Sequence, residues 1–223
     1  ALSLPRQGGL TLAKELYEGM FPLAKSHDVA IAGGDTSSWD GPLVVSVTLV
    51  GDVTSHGVVR RDGGRVGDQL LVTGTLGGSI LGKQFDFDPR VDEALWLNAH
   101  AELHAAMDIS DGLALDLSRL AAASNCGAVV DLASVPVSDA ARQLAARGED
   151  EKTSLDHALS DGEDFELLLA VPSGTAQSLL DTQPLGVCLT RIGELVAERG
   201  LWQQTSAGRS PLAAVGFEHR LTP

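Results

Sequence analysis

The segment Phe165-Glu166-Leu167-Leu168-Leu169-Ala170-Val171 is almost wholly apolar. A short run without polar alternation reads as a strand buried on both faces, so the chain must cover a sheet on two sides. Ser160-Asp161-Gly162-Glu163-Asp164 precedes it directly, which concentrates charge at the mouth of the most buried strand. Two other loops have the same make-up: Gly33-Gly34-Asp35-Thr36-Ser37 and Met107-Asp108-Ile109-Ser110-Asp111-Gly112, each bordering an apolar run. Carboxylates gathered in this way repel unless a cation sits between them, and Mg²⁺ carrying a nucleotide suits such a place.

The rest of the pattern alternates strands and helices, which predicts an α/β fold of the α+β layered kind. Apolar Leu12, Leu16, Met20 and Leu23 recur at helical spacing, giving a helix over 9–26 with Thr11 as N-cap. Strands are expected at 29–32 and 43–50, with a turn at 39–42 between them. The polar, glycine-rich stretch 60–68 is the expected connector, dividing the chain into domains 1–63 and 64–223. Beyond it the reading is a strand at 69–73, a short helix at 77–83, a longer helix over 89–106 and a helix after Gly112 closed near Gly127. A strand at 128–132, a helix at 139–147, an exposed charged stretch at 149–156, a helix at 175–180 and a last strand at 188–195 complete it.

Composition narrows the function. Hydrophobic residues are 43% of the chain and aromatics 4%, so the core is aliphatic. The net charge of −14 disfavours nucleic acid as a partner, because neutralising phosphates takes Lys and Arg. Metal ions can still bridge carboxylates to a nucleotide. Cys126 and Cys188 form no C-x-x-C pair and point to a reducing, cytoplasmic setting. No apolar stretch approaches the ~20 residues of a membrane helix. The opening Ala1-Leu2-Ser3-Leu4-Pro5 reads as the end of a strand, and an N-terminal part of a longer protein is expected before it.

Each acidic loop has a plain reading beside a chemical one. Ser110 or Asp111 can cap the following helix. Asp108 and Asp111 around Ser110 can also join a helix N-terminus to hold metal and phosphate together. Gly33-Gly34-Asp35 is a turn, or a place where glycines let a phosphate approach the backbone and Asp35 holds the metal. Glu163 is a solvated loop residue, or the partner of a cationic or hydroxyl-bearing substrate group, with Asp164 structural or metal-binding. Arg61 is a surface arginine, or a bidentate phosphate ligand. His100 and His104 flank Glu102 in an order that is not H-E-x-x-H, and they read as an exposed helix face. No P-loop, dinucleotide fingerprint or nucleophile elbow is present.

In these residues the chain resembles the thiamine-monophosphate kinases, in the superfamily of aminoimidazole ribonucleotide (AIR) synthetase. The matching segments are AIAGGDTS (30–37), SVTLVGDV (46–53), RRDGGRVGDQLLVTGTLG (60–77), PRVDEA (89–94), MDISDGLALDLSRLAAASNCGAVVDLASVP (107–136) and ALSDGEDFELLLAV (158–171). The resemblance implies an AIR synthetase-like two-domain fold whose first domain is incomplete here. It implies Mg²⁺-assisted transfer of the ATP γ-phosphate to thiamine monophosphate, and a homodimer in the intact protein. By the same resemblance Asp35, Asp108 and Asp111 are metal ligands, and Gly34, Asp35, Arg61 and Ser110 touch the nucleotide. Glu163 and Phe217 contact the thiamine part, where a carboxylate and a ring suit a flat cation. Asp161 stands where the family usually has glycine, which leaves the geometry of its loop open. The alternatives are another ATP-using enzyme of the superfamily, or a nucleotide-binding fragment without activity.

Overall fold

The computed structural model describes residues 1–206 and 208–218. Two compact units make up the chain, Ala1–Asp52 and Val53–Pro223.

In the first unit β1 (Leu2–Pro5) is the middle strand of three, parallel to β2 (Thr36–Trp39) and antiparallel to β3 (Val44–Val45). Helix α1 spans Gly9–Ser26, where the apolar spacing placed it. Its N-cap is Gly8, left-handed at φ 74°, and not Thr11. The strand expected at 29–32 is absent, and the ladder forms at 36–39 instead. Pairing decides this: Leu2 to Pro5 need hydrogen-bond partners, and Thr36 to Trp39 supply them despite their polarity. The strand expected over 43–50 shrinks to two residues, because only Leu2 and Ser3 face it.

The second unit holds β4 (Gln69–Thr73), β5 (Ala105–Ile109), β6 (Gly127–Asp131), β7 (Glu166–Val171), β8 (Leu189–Val196), β9 (Gly200–Thr205) and β10 (Gly208–Pro211). They form one sheet in the order β10-β9-β6-β8-β4-β7-β5. All neighbours are antiparallel except β6 and β9. Helices α2 (Val91–His100), α3 (Leu113–Ala123), α4 (Asp139–Arg147), α5 (Ser154–Ser160) and α6 (Ser173–Thr182) accompany it. None of the described helices is long and apolar enough to cross a membrane.

The apolar run behaves as its composition requires. Leu168 and Ala170 of β7 join Leu70 and Val72 of β4 in a core with Leu113, Leu117 and Leu120 of α3. Leu169 and Val171 join Leu71 in a second core with Leu97 of α2 and Ala176 and Leu179 of α6. Successive side chains of one strand thus enter opposite cores. Removing a fully buried Leu168 side chain to Ala costs about 2–5 kcal/mol on this packing.

Four expectations are corrected in this unit. The helix read over 89–106 ends at His100, because Ala105 to Ile109 pair with β7. His104 therefore leaves the helix, and its Nδ1 lies 2.8 Å from Asp68. The charged stretch 149–156 is exposed at 149–153 as read, but it runs into an unexpected helix, α5, started by a reciprocal capping box between Thr153 and Asp156. The strand near 188–195 is followed by β9 and β10. Finally, the left-handed residue after α3 is Asn125 at φ 56°, and Gly127 already belongs to β6.

Candidate functional site

Neighbouring antiparallel strands bring two of the acidic loops together. Ile109, the last residue of β5, pairs with Glu166, the first of β7. The loop leaving β5 and the loop entering β7 therefore lie at one end of the sheet. The end of β4 is there too, since Thr73 Oγ1 donates to Glu166 at 2.7 Å.

Backbone contacts lock these loops. The Glu163 N–H donates to the Ser110 carbonyl at 2.7 Å, and the Phe165 N–H to the Ile109 carbonyl at 2.8 Å. Both residues are left-handed, Glu163 at φ 62° and Phe165 at φ 51°. Such conformations cost of order 1 kcal/mol each and persist where neighbours over-determine them. Between them Asp164 is fully buried, and both its oxygens accept the Gly77 N–H at 2.9 Å. A Cβ on Gly162 would sit 2.7 Å from the Ser110 carbonyl oxygen, and one on Gly216 2.3 Å from that of Asp111. At these two positions any side chain would push the segments apart.

The loop after β5 is shaped from below. Asp116, fully buried in the first turn of α3, accepts the N–H groups of Ser110 (2.9 Å) and Asp111 (2.8 Å). The expected cap by Ser110 or Asp111 is thus reversed: Gly112 is the N-cap, without a side-chain bond, and a helix carboxylate serves the loop. Asp161 has φ −72° and ψ 140°, a conformation open to any residue, so its loop needs no glycine there.

The result is a cleft of about 860 Å³, within the range of small-molecule sites. Ser110, Asp111, Glu163 and Phe217 all line it. The Phe217 N–H donates to the Asp111 carbonyl at 2.8 Å, which fixes the C-terminal segment beside the acidic loop. Glu163 is exposed, and Asp111 pairs with Arg119. Asp108 is exposed on β5, outside the cleft lining. Arg61 is also outside it: its side chain is exposed and its carbonyl accepts from Ser124 Oγ at 3.1 Å. Gly34 and Asp35 belong to the first unit, where Asp35 Oδ1 accepts the Thr36 N–H at 2.9 Å and its carbonyl the Leu2 N–H at 2.8 Å.

Asp164 is buried, and several further contributors lay outside the sequence reading. Burial pushes Asp164 up to about 7, against the opposing Gly77 N–H and Lys83. Burial also raises Glu166, yet Arg90, Lys83 and Thr73 outweigh it and hold that carboxyl at about 2. The Lys83 and Arg90 contacts are 2.7–2.9 Å, and they fasten a segment whose Phe87 stacks on Phe165 at 4.3 Å. Lys152 lines the cleft from the stretch 149–156 read as solvated charge, and His157 from just beyond it. The capping-box spacing Thr153–Asp156 was the available signal for that helix.

Among the described residues no group of three or more His, Cys, Asp or Glu is placed to hold a metal. Mg²⁺ commonly takes one or two carboxylates and completes its shell with water and phosphate oxygens, so Asp108 and Asp111 fit it in kind. Arg119 competes for Asp111.

Comparison with known proteins gives the family and the fold. The family of AIR synthase related proteins, C-terminal domain, matches residues 65–201. The thiamine-monophosphate kinase of Rhodopirellula baltica is 43% identical over 219 residues, covering 98% of this chain and 68% of that protein. The crystal structure of thiamine-monophosphate kinase from Stenotrophomonas maltophilia K279a superposes with a TM-score of 0.69 at 32% identity, covering 91% of this chain and 70% of its own. The solved complex of AaThiL with AMPPCP and TMP has a TM-score of 0.72 at 23% identity over 98% of this chain and 72% of its own, a likeness of fold alone. By the first two likenesses and the matched domain, the chain belongs to the thiamine-monophosphate kinases, enzymes built on the AIR synthase-related fold.

Proposed function

We propose that this protein uses ATP to phosphorylate thiamine monophosphate, giving thiamine diphosphate by direct phosphoryl transfer. The observation that carries the proposal is the cleft whose lining gathers Ser110, Asp111, Glu163 and Phe217, with Glu163 hydrogen-bonded to Ser110 and Phe217 to Asp111 through the backbone. A carboxylate with no ion-pair partner among the described residues and a half-exposed aromatic ring suit the cationic, flat thiamine moiety. A hydroxyl and a carboxylate at the start of α3 suit phosphate and its counter-ion. Phosphoryl transfer depends on positioning and charge neutralisation, and needs no protein nucleophile.

Within this reading Glu163 and Phe217 hold the thiamine part. Ser110, Arg61, Gly34 and Asp35 hold the nucleotide, and Asp35, Asp108 and Asp111 are the carboxylates for Mg²⁺. When bound, the ion neutralises the charge on the transferring phosphates. Arg119 pairs with Asp111 and balances its charge, a contact the ion has to displace. The domain junction is placed at 63/64. The intact protein is read as a cytoplasmic homodimer joined through its first domain, where Val44, Val45, Val47 and Leu49 are exposed.

The test is product formation. The protein, ATP and Mg²⁺ are incubated with thiamine monophosphate, thiamine or unrelated monophosphates, and products are separated. Thiamine diphosphate from the first acceptor alone is expected. Transfer to another acceptor, with none to thiamine monophosphate, would sink the proposal.

A further inference from the structure

Asp161 is the most heavily engaged carboxylate of the cleft wall. Its Oδ1 accepts Lys152 Nζ at 3.0 Å. Its Oδ2 accepts the Gly78 N–H at 3.0 Å and lies 2.9 Å from His157 Nδ1. Two segments, the turn at Gly78 and the stretch 152–157 around the start of α5, therefore converge on one side chain, itself 16% exposed. His157 is 4% exposed, its Nε2 has no hydrogen-bond partner among the described residues, and Asp150 Oδ1 stands off at 3.6 Å. Asp161 is the group that orients this buried ring.

Lys152 is the sole lysine among the described residues that line the cleft. Glu149 and Glu163 line it too, and among the described residues neither has an ion-pair partner. An ammonium on a flexible stem, if released, could pair with either one on the scale of a solvent-exposed ion pair, since all three side chains are exposed. In the structure the ammonium is engaged by Asp161 instead.

We propose that Asp161 is a positioning residue that sequesters Lys152, so that Glu163 meets a cationic ligand without a competing ammonium. The inference rests on the thiamine monophosphate reading above and deepens it. It explains how a wall that carries a lysine still selects a positively charged heterocycle.

A double-mutant cycle tests the proposal. Asp161→Asn keeps an acceptor for the Gly78 N–H and removes the charge that holds Lys152. Lys152→Met removes the competing ammonium. The dissociation constant for thiamine monophosphate is measured by calorimetry at fixed salt, with KM and kcat alongside. Asp161→Asn weakens binding about fivefold, the scale of a partly exposed ion pair, with kcat within about twofold. Lys152→Met binds as tightly as wild type or tighter, and the double variant returns to within about twofold of wild type. A merely structural Asp161 leaves the double variant as weak as Asp161→Asn. That result, or wild-type binding by Asp161→Asn, overturns the proposal. Failure of wild type to bind thiamine monophosphate strikes the functional reading instead. The tether is then judged from amide hydrogen exchange of residues 149–153: faster exchange in Asp161→Asn supports it, and unchanged exchange overturns it.

Discussion

Replacing Glu166 by Gln probes the buried charge network beneath the cleft. Glu166 is 1% exposed and receives Thr73, Lys83 and a two-pronged contact from Arg90, all at 2.7–2.9 Å. Burial alone would raise its carboxyl, but these partners take it from 4.5 down to about 2. At about 1.4 kcal/mol per pH unit, that fall corresponds to about 3 kcal/mol of folding stability. Breaking a buried pair by removing one partner costs about 3–5 kcal/mol, so the two routes agree. The sign follows from the depressed value. The stabilisation is complete above about pH 4.5 and is lost as pH falls toward 2. Urea unfolding of wild type and Glu166→Gln, read by circular dichroism, should differ by about 3 kcal/mol at pH 7. The gap should narrow steadily below pH 4.5. A gap that stays constant down to pH 3 would refute the charge argument and leave only a packing defect. The variant should also raise KM for thiamine monophosphate, because Lys83 and Arg90 hold the segment whose Phe87 backs Phe165 at the cleft.

Asp164 has the opposite pH signature. Its carboxyl is raised from 3.8 to about 7, chiefly by burial, so wild type loses stability as pH rises from about 4 to about 7. Asp164→Asn removes this loss, and its stability relative to wild type should improve across that window by up to about 4 kcal/mol; parallel pH–stability curves would contradict it. Gly216→Ala places a Cβ 2.3 Å from the Asp111 carbonyl oxygen and displaces the neighbouring Phe217. KM for thiamine monophosphate should rise about tenfold in steady-state kinetics, and an unchanged KM would remove Phe217 from the site.

The legible parts of the fold were those fixed by short-range chemistry. The run 165–171 announced a two-sided strand, and alternate residues of β7 do enter two cores. Helix α4 spans Asp139–Arg147 as read, with Ser138 accepting the Ala141 N–H and Gly148 left-handed at its end. Partner choice was not legible. Thr36 to Trp39 form a strand only because β1 lies beside them, and the helix read to residue 106 yields at Ala105 to the ladder with β7. The same limit applied to the cleft. Ser110, Asp111, Glu163 and Phe217 were named from their residue types and the family resemblance; the pairing of β5 with β7 brings the first three together, and the segment after β10 carries Phe217 to Asp111. Asp116, Lys152 and His157 were missed because their importance arises from what faces them across the fold. Asp116 in particular looks like an ordinary helix residue until Ser110 and Asp111 point their N–H groups at it.

The central claim is that this cleft divides its labour between thiamine and phosphate. Steady-state constants for Glu163→Gln and Asp111→Asn, measured side by side with ATP and thiamine monophosphate, test it most directly. Glu163→Gln should raise KM for thiamine monophosphate about tenfold and leave kcat within about twofold, because it removes ground-state pairing with the cationic ring. Asp111→Asn should lower kcat about a hundredfold, because it removes charge stabilisation from the transferring phosphate. If Glu163→Gln leaves KM unchanged, or Asp111→Asn leaves kcat unchanged, the cleft is not the site of this reaction.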